Sequence, residues 1–396
     1  VIRALAIALL LAATPAAAQD KPPAPRPGNG LALTPPMGWN SWNKFQCNVD
    51  EELIRRTADT IVSSGMRDAG YKYVVIDDCW HGARDAHGDI QPDPKRFPSG
   101  MKALGDYIHS KGLKFGIYSD AGALTCGGRP GSQGREYQDA AQYASWGVDY
   151  LKYDWCSTGT RDAQEAYTLM SDALRATGRP IVLSICEWGN HKPWSWARNV
   201  GNLWRTTGDI WDSWDKNDAQ HSWAHPVTDI LDQNAELYPF SGPGGWNDPD
   251  MLEVGNGGMS DDEYRAHFAM WAMLAAPLMA GNDVAAMSPA TSTILTNAEI
   301  IAVDQDPLGQ QARRVWKDGD REIWSRPLAD GNRAVALLNR GKDAATIRAD
   351  WPLIGYPAKL KARVRDLWEH RDLPAATGGV EATVRGHAAV VLRITP

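Results

Sequence analysis

The chain has 396 residues, 43% hydrophobic and 22% charged, a composition that argues against a disordered or membrane-embedded protein and leaves room for two or three domains, or one large barrel with an appendage. A formal net charge of -7 without a long basic run argues against nucleic acid or an anionic membrane as a partner. Eighteen Trp against five Phe supply large flat faces that can pack a core or stack on ring-shaped ligands such as sugars.

In chain order, residues 1–18 place Arg3 before an apolar run from Ala4 to Ala13, then Pro15 and the small residues Ala16, Ala17 and Ala18. That is the pattern of a secretory signal peptide, and the apolar run is too short to span a bilayer. The Pro-rich stretch 19–30 is expected to be flexible, and export predicts a secreted or periplasmic location. Five cysteines in an exported chain allow two disulfides and leave one thiol; Cys47, Cys79, Cys126 and Cys156 are the bridge candidates. No Cys-x-x-Cys or His-rich spacing suggests a structural zinc site.

From residue 31 to 312 short apolar runs alternate with helix-length amphipathic segments, which predicts an α/β fold of repeated βα units. The expected strands are Met37 to Trp42, Tyr73 to Asp78, Lys114 to Ser119, Asp149 to Asp154, Ile181 to Glu187, Leu203 to Asp209, Gly244 to Asn247 and Pro277 to Gly281. Eight such units fit a closed (β/α)8 TIM barrel, whose chemistry sits at the C-terminal strand ends. Asp77, Asp78, Tyr118, Asp120, Asp154, Glu187, Asp209, Asp248 and Asp250 all fall at or just past those ends. Residues 313–396 switch to short alternating runs, including Glu322 to Ser325, Ala334 to Asn339, Thr346 to Ala349 and Ala388 to Ile394, the texture of an antiparallel β-sandwich domain.

A crowd of carboxylates at one barrel mouth suits glycosidic cleavage with retention, which needs one carboxylate to attack the anomeric carbon and one carboxyl to protonate the leaving oxygen. Asp154 ends a strand whose alternation puts Lys152 on its own face, so a cation beside it is expected to lower its pKa and keep it ionised. The bland reading is a buried structural ion pair. Asp209 follows Gly208 and suits the acid/base role, or it caps a helix beginning at Ile210. Asp77 and Asp78 fit sugar hydroxyls or a metal, and Asp120, Asp154 and Asp250 form a rival metal set. Trp39 and Trp42 are candidates for an apolar wall, and Arg205 for a hydroxyl or acid contact.

The motifs Met37-Gly38-Trp39-Asn40-Ser41-Trp42, Ile76-Asp77-Asp78-Cys79-Trp80, Lys152-Tyr153-Asp154-Trp155-Cys156 and Gly245-Trp246-Asn247-Asp248-Pro249-Asp250-Met251 resemble glycoside hydrolase family 27, the α-galactosidase or melibiase family, from about residue 31 onward. The resemblance implies a TIM barrel followed by a β-sandwich, and a retaining double displacement with no metal or organic cofactor. It implies Asp154 as nucleophile and Asp209 as general acid/base. By motif it implies sugar contacts from Trp42, Asp77, Asp78, Tyr118, Cys126, Lys152, Glu187, Arg205, Asp250 and Met251. It also implies disulfides Cys126–Cys156 and Cys47–Cys79, leaving Cys186 as a buried free thiol.

Within that resemblance Glu187 is expected to meet the sugar 2-hydroxyl and to crowd out an acetamido group, favouring galactose over N-acetylgalactosamine. Two acids at Asp77 and Asp78 are expected to leave room for the hydroxymethyl group that a β-L-arabinopyranosidase excludes. A non-catalytic galactoside-binding protein is the reading from another class. The expected partner is an α-galactoside oligosaccharide or polysaccharide, with the protein a monomer or homo-oligomer.

Overall fold

The computed structural model describes residues 28–396 apart from 217 and 218. The signal-peptide expectation for 1–18, and the flexible-segment expectation up to 27, lie outside the described residues. The last part of that segment is tied down: the Asn29 and Asn202 side chains exchange amide hydrogen bonds at 3.0 and 2.8 Å.

The first barrel strands are β1 (Met37–Asn40) and β2 (Tyr73–Ile76), followed by a short antiparallel hairpin, β3 (His81–Arg84) and β4 (Ile90–Pro92). Then come β5 (Lys114–Asp120), β6 (Tyr150–Asp154), β7 (Val182–Ile185), β8 (Leu203–Arg205), β9 (Trp246–Asp248) and β10 (Leu278–Ala280). Eight of these form one parallel sheet in the order β10-β1-β2-β5-β6-β7-β8-β9. Its two ends meet through Leu252, just past β9, which bridges Ala280 on β10, with Leu252 N–H donating to Met279 O at 2.8 Å and Gly281 N–H to Leu252 O at 3.0 Å. The expected barrel is present. All eight strands fall where expected, but several stop earlier at their C-terminal ends. Trp42 does not end β1: Asn40 Oδ1 accepts Trp42 N–H at 2.8 Å, and the chain turns into the short helix Trp42–Phe45.

Both faces of each strand are buried, which is why the runs read as nearly continuous apolar sequence. Tyr73, Val75, Tyr150, Val182, Leu203, Trp246 and Met279 point inward and fill the barrel with Leu31, Ala32 and Trp42. Val74, Ile76, Leu151, Tyr153, Leu183, Ile185 and Trp204 point outward against the helices. Several of those helices are amphipathic and capped. In Glu51–Ser63, Leu53, Ile54, Ala58 and Ile61 are buried, and Asp50 accepts Leu53 N–H at 2.8 Å. Each such buried Leu or Ile contributes about 1.5–3 kcal/mol relative to exposure.

The C-terminal domain has β11 (Arg313–Asp318), β12 (Arg321–Pro327), β13 (Arg333–Asn339), β14 (Ala345–Asp350), β15 (Lys361–Asp366), β16 (Arg371–Thr377), β17 (Gly379–Val384) and β18 (Ala388–Thr395). Six form an antiparallel sheet, β11-β12-β13-β18-β15-β16, and β14 pairs with β17. Ile323, Val335, Leu337, Ile347, Trp351, Val364 and Leu392 make the core between the two sheets. At the boundary with the barrel, fully buried Arg326 donates to Ala272 O at 2.6 Å and Asp304 O at 3.1 Å.

Candidate active site

Strand alternation that fills the barrel also builds its mouth, because the next inward residues beyond the apolar layer are polar. Lys152 lies in register with Tyr118 on β5 and Ser184 on β7, and Asp154 with Asp120. Lys152 Nζ does not pair with Asp154. It reaches across β5 to Asp77 Oδ2 at 2.8 Å, and the same oxygen accepts Asn40 Nδ2 at 2.7 Å. Asp154 is held instead by the Tyr118 hydroxyl at 3.0 Å and by Trp155 N–H at 3.0 Å.

The expected lowering of the Asp154 pKa is therefore corrected. Burial pushes it up to about 6; the Lys152 charge opposes this, and the charges of Asp209 and Asp77 add to the rise. Desolvation outweighs the cation because the cation is engaged elsewhere. Asp154 is still mostly ionised at pH 7, as a nucleophile must be.

Asp209 is about one-third exposed and accepts Arg205 Nη2 at 2.9 Å. The same Nη2 lies 3.0 Å from Asp250 Oδ2, which also accepts Ile210 N–H at 2.8 Å. Asp250 and Arg205 thus clamp the chain on both sides of Asp209. No helix starts at Ile210, which instead bridges His225, so the capping role is set aside. Asp250 is held at φ +78, a left-handed conformation rare for a residue other than Gly, by its N–H to Asp248 Oδ1 at 2.9 Å and by Trp271 Nε1 on its carbonyl at 2.8 Å. Burial raises the pKa of Asp250, and raises that of Asp248 to about 6, with the Arg205 charge opposing in both.

Asp78 sits beside Asp77 with its carboxylate on Cys79 N–H at 2.5 Å and Gly127 N–H at 2.6 Å, and burial raises its pKa. Those two amides belong to loops closed by the bonded pairs Cys47–Cys79 and Cys126–Cys156. Asp120 accepts Gly122 N–H at 2.6 Å and Cys156 N–H at 2.9 Å; burial, and then the Asp154 charge, push it up to about 8. Trp42 and Met251 pack on the inner barrel cluster, so Trp42 is part of the apolar wall. Trp39 is not: it is fully buried on the helix side, with Nε1 on Asn282 O at 2.8 Å.

Glu187 is fully buried, and its Oε2 accepts His191 N–H at 2.6 Å and lies 2.8 Å from His191 Nδ1. Its neighbour Cys186 is free and buried, with Arg205 Nη1 at 3.7 Å from its sulfur. Burial raises that thiol's pKa and so does the Asp154 charge, while Arg205 and Lys152 lower it, so the groups around it are those of the mouth. The signal was available: Lys152 is in register with Ser184, and two residues further on the same face is Cys186.

The rival metal set does not converge. Asp120, Asp154 and Asp250 each accept backbone N–H groups, and the His/Cys/Asp/Glu group that does draw together among the described residues is Asp120, Cys126 and Cys156, whose sulfurs are bonded to each other.

A TIM barrel with paired acids over an apolar, Trp-lined interior, followed by a β-sandwich, is the frame of a glycoside hydrolase, and this chain is one. Residues 34–306 match the family model described as alpha galactosidase A, and residues 318–394 match that of the alpha galactosidase C-terminal beta sandwich domain. The chain belongs to the α-galactosidase family. It is 52% identical over 377 residues to alpha-galactosidase A of Cellvibrio japonicus, covering 92% of this chain and 93% of that one. The crystal structure of alpha-galactosidase I from Mortierella vinacea superposes with a TM-score of 0.90 at 42% identity, over 92% and 98% of the two chains. The Saccharomyces cerevisiae enzyme solved with raffinose gives 0.89 at 33% identity, over 93% and 99%.

Proposed function

We propose that this protein is a secreted, retaining α-galactosidase that hydrolyses terminal α-linked galactose by double displacement. What supports the reading is that Asp154 ends β6 and Asp209 follows β8 at the same end of the sheet, near enough that the charge of Asp209 raises the pKa of Asp154. In the first step Asp154 attacks the anomeric carbon, the bond to the leaving oxygen breaks, and Asp209 gives that oxygen its proton. In the second, Asp209 takes a proton from water, the water oxygen attacks the same carbon, and Asp154 leaves as a carboxylate.

Asp77, with Lys152 and Asn40 on one oxygen, offers a fixed acceptor and a nearby cation to the hydroxyls of the ring. Asp78 stands next to it. Cys186, not Glu187, faces the 2-position, where a hydroxyl fits against a small sulfur. The raffinose complex of the yeast relative supports an α-galactoside oligosaccharide as substrate. Two disulfides within 32 residues' separation each suit an oxidising compartment and agree with the leader pattern of residues 1–18.

The deciding experiment follows hydrolysis of p-nitrophenyl α-galactoside by proton NMR. The first sugar released is expected as the α-anomer; initial β-galactose would overturn the retaining mechanism. Cleavage of the N-acetylgalactosaminide or the β-L-arabinopyranoside in preference to the galactoside would overturn the specificity. Asp209→Asn is expected to lower kcat/KM about 10²–10⁴-fold, with the smaller loss on substrates whose leaving group needs no proton.

A further inference from the structure

To protonate a glycosidic oxygen, Asp209 must come within about 3 Å of it. The group leaving with that oxygen therefore stands beside Asp209, and whatever flanks this acid on its solvent side is what the leaving group meets. On the chain after Asp209, residues 219–225 return to it. His225 N–H donates to Asp209 O at 2.7 Å, and Trp211 N–H donates to His225 O at 2.9 Å. A Cβ on Gly208 would lie 3.0 Å from the His225 ring and 3.8 Å from Trp223 O, so the backbone of Trp223 passes next to the residue preceding the acid.

Trp223 is 57% exposed, and it is the only Trp among the exposed large apolar residues of the described residues. Its ring centroid lies 6.3 Å from that of His221, which is stacked on Trp211 at 3.4 Å and 15°. Trp211, His221 and Trp223 thus form a short aromatic file beside Asp209, with Trp223 open to water. A flat apolar face with one N–H donor matches a pyranose, whose C–H face is apolar and whose edge carries hydroxyls.

We propose that Trp223 is the stacking platform of an aglycone subsite, taking the sugar ring joined to the galactose being released. The proposal rests on the α-galactosidase reading and names the class of leaving group it serves, an oligosaccharide remainder in place of a small alcohol. Trp223 is a specificity-determining residue. It takes no part in bond breaking.

The test compares kcat/KM on raffinose with kcat/KM on α-galactosyl fluoride, whose leaving group is a single atom with no ring to stack, in wild type, Trp223→Ala and Trp223→Phe. In the Ala variant the raffinose-to-fluoride ratio is expected to fall about tenfold, mostly through KM, and Phe is expected to restore most of it. An unchanged ratio, or equal losses on both substrates, overturns the proposal, the second because it marks a general disturbance of the Asp209 loop. Wild type that cleaves neither substrate would overturn the α-galactosidase reading itself, a result separate from a failure of the subsite.

Discussion

The barrel mouth and the Asp232–Glu322 cluster between barrel and sandwich both gather Asp, Glu, Lys and Arg, and Asp232 shifts the opposite way from the acids of the mouth. At the mouth burial dominates: Asp154 and Asp248 are pushed up to about 6 and Asp120 to about 8, with neighbouring acids adding to each rise. Lys152 and Arg205 are bonded to other acids of the mouth, Lys152 to Asp77 and Arg205 to Asp209 and Asp250. At the junction, burial of Asp232 also raises its pKa, but hydrogen bonds and charge from Arg340 and Arg314, with Lys317, outweigh it and hold the carboxyl below its ordinary value. Glu322 beside it is fully buried, with Lys317 at 3.0 Å, Arg340 at 3.2 Å, Arg314 at 3.3 Å and Trp324 Nε1 at 2.8 Å. The same side-chain types serve cohesion around Asp232 and reactivity around Asp154, and what differs is whether cations bonded to the carboxyl outweigh its burial.

The sharpest way to break that contrast is Asp154→Asn. It is expected to lower kcat about 10⁴-fold or more and yet raise stability at pH 7. The sign follows from a folded pKa of about 6 against 3.8: the stability contributed by this group is complete below 3.8 and is lost as pH rises through 6. Wild type at pH 7 therefore carries a deficit of at most about 3 kcal/mol that the amide removes. Thermal melts at pH 7 and pH 4 check it; a variant less stable at both would contradict the burial account.

Next in size, kcat/KM is expected to fall on the acid side with a midpoint near 6, as Asp154 takes up its proton. Tyr118→Phe removes a hydrogen bond to the ionised carboxylate, so the midpoint should move upward in a pH–rate profile. Smaller again is the pair that separates Cys186 from Glu187. Cys186→Val crowds the 2-position and should raise KM about tenfold, whereas Glu187→Gln should change kcat/KM less than about threefold while lowering Tm.

The smallest effect belongs to the junction. Asp232→Asn should cost about 1 kcal/mol or less, because the side chain is 42% exposed, and should leave turnover unchanged. With its folded pKa lowered, that contribution is present above 3.8 and is lost as pH falls through the folded value, the reverse of Asp154. Chemical denaturation at pH 7 and pH 3 measures it.

Most of the barrel was legible because parallel strands buried on both faces leave short apolar runs that end in polar residues, as Tyr73-Val74-Val75-Ile76 does before Asp77. Strand ends were less legible. Trp42 reads as a continuation of β1, and only the Asn40 side chain, hydrogen-bonded to the Trp42 amide, turns the chain into a helix. The partner of Lys152 was hidden for a different reason: Asp77 is 75 residues away and two strands over, and no alternation within β6 reveals which carboxylate a long side chain will reach. Beside the motif position Glu187, the alternation that aligns Lys152 with Ser184 carries on to Cys186, a residue no motif marks. In the sandwich, β16 is the hard strand to read, because Arg371–Thr377 buries no residue fully and shows no alternation.

The barrel's circumference is uneven in strength. Seven joins are ladders between neighbouring strands, and the eighth rests on Leu252 alone. Warming should part the ring there first, since the fewest backbone bonds resist it. Asp250 lies two residues before Leu252, so this opening would loosen the grip on Asp209 while the remaining staves stay joined. Heat should then silence the enzyme at a temperature below that at which the domain melts.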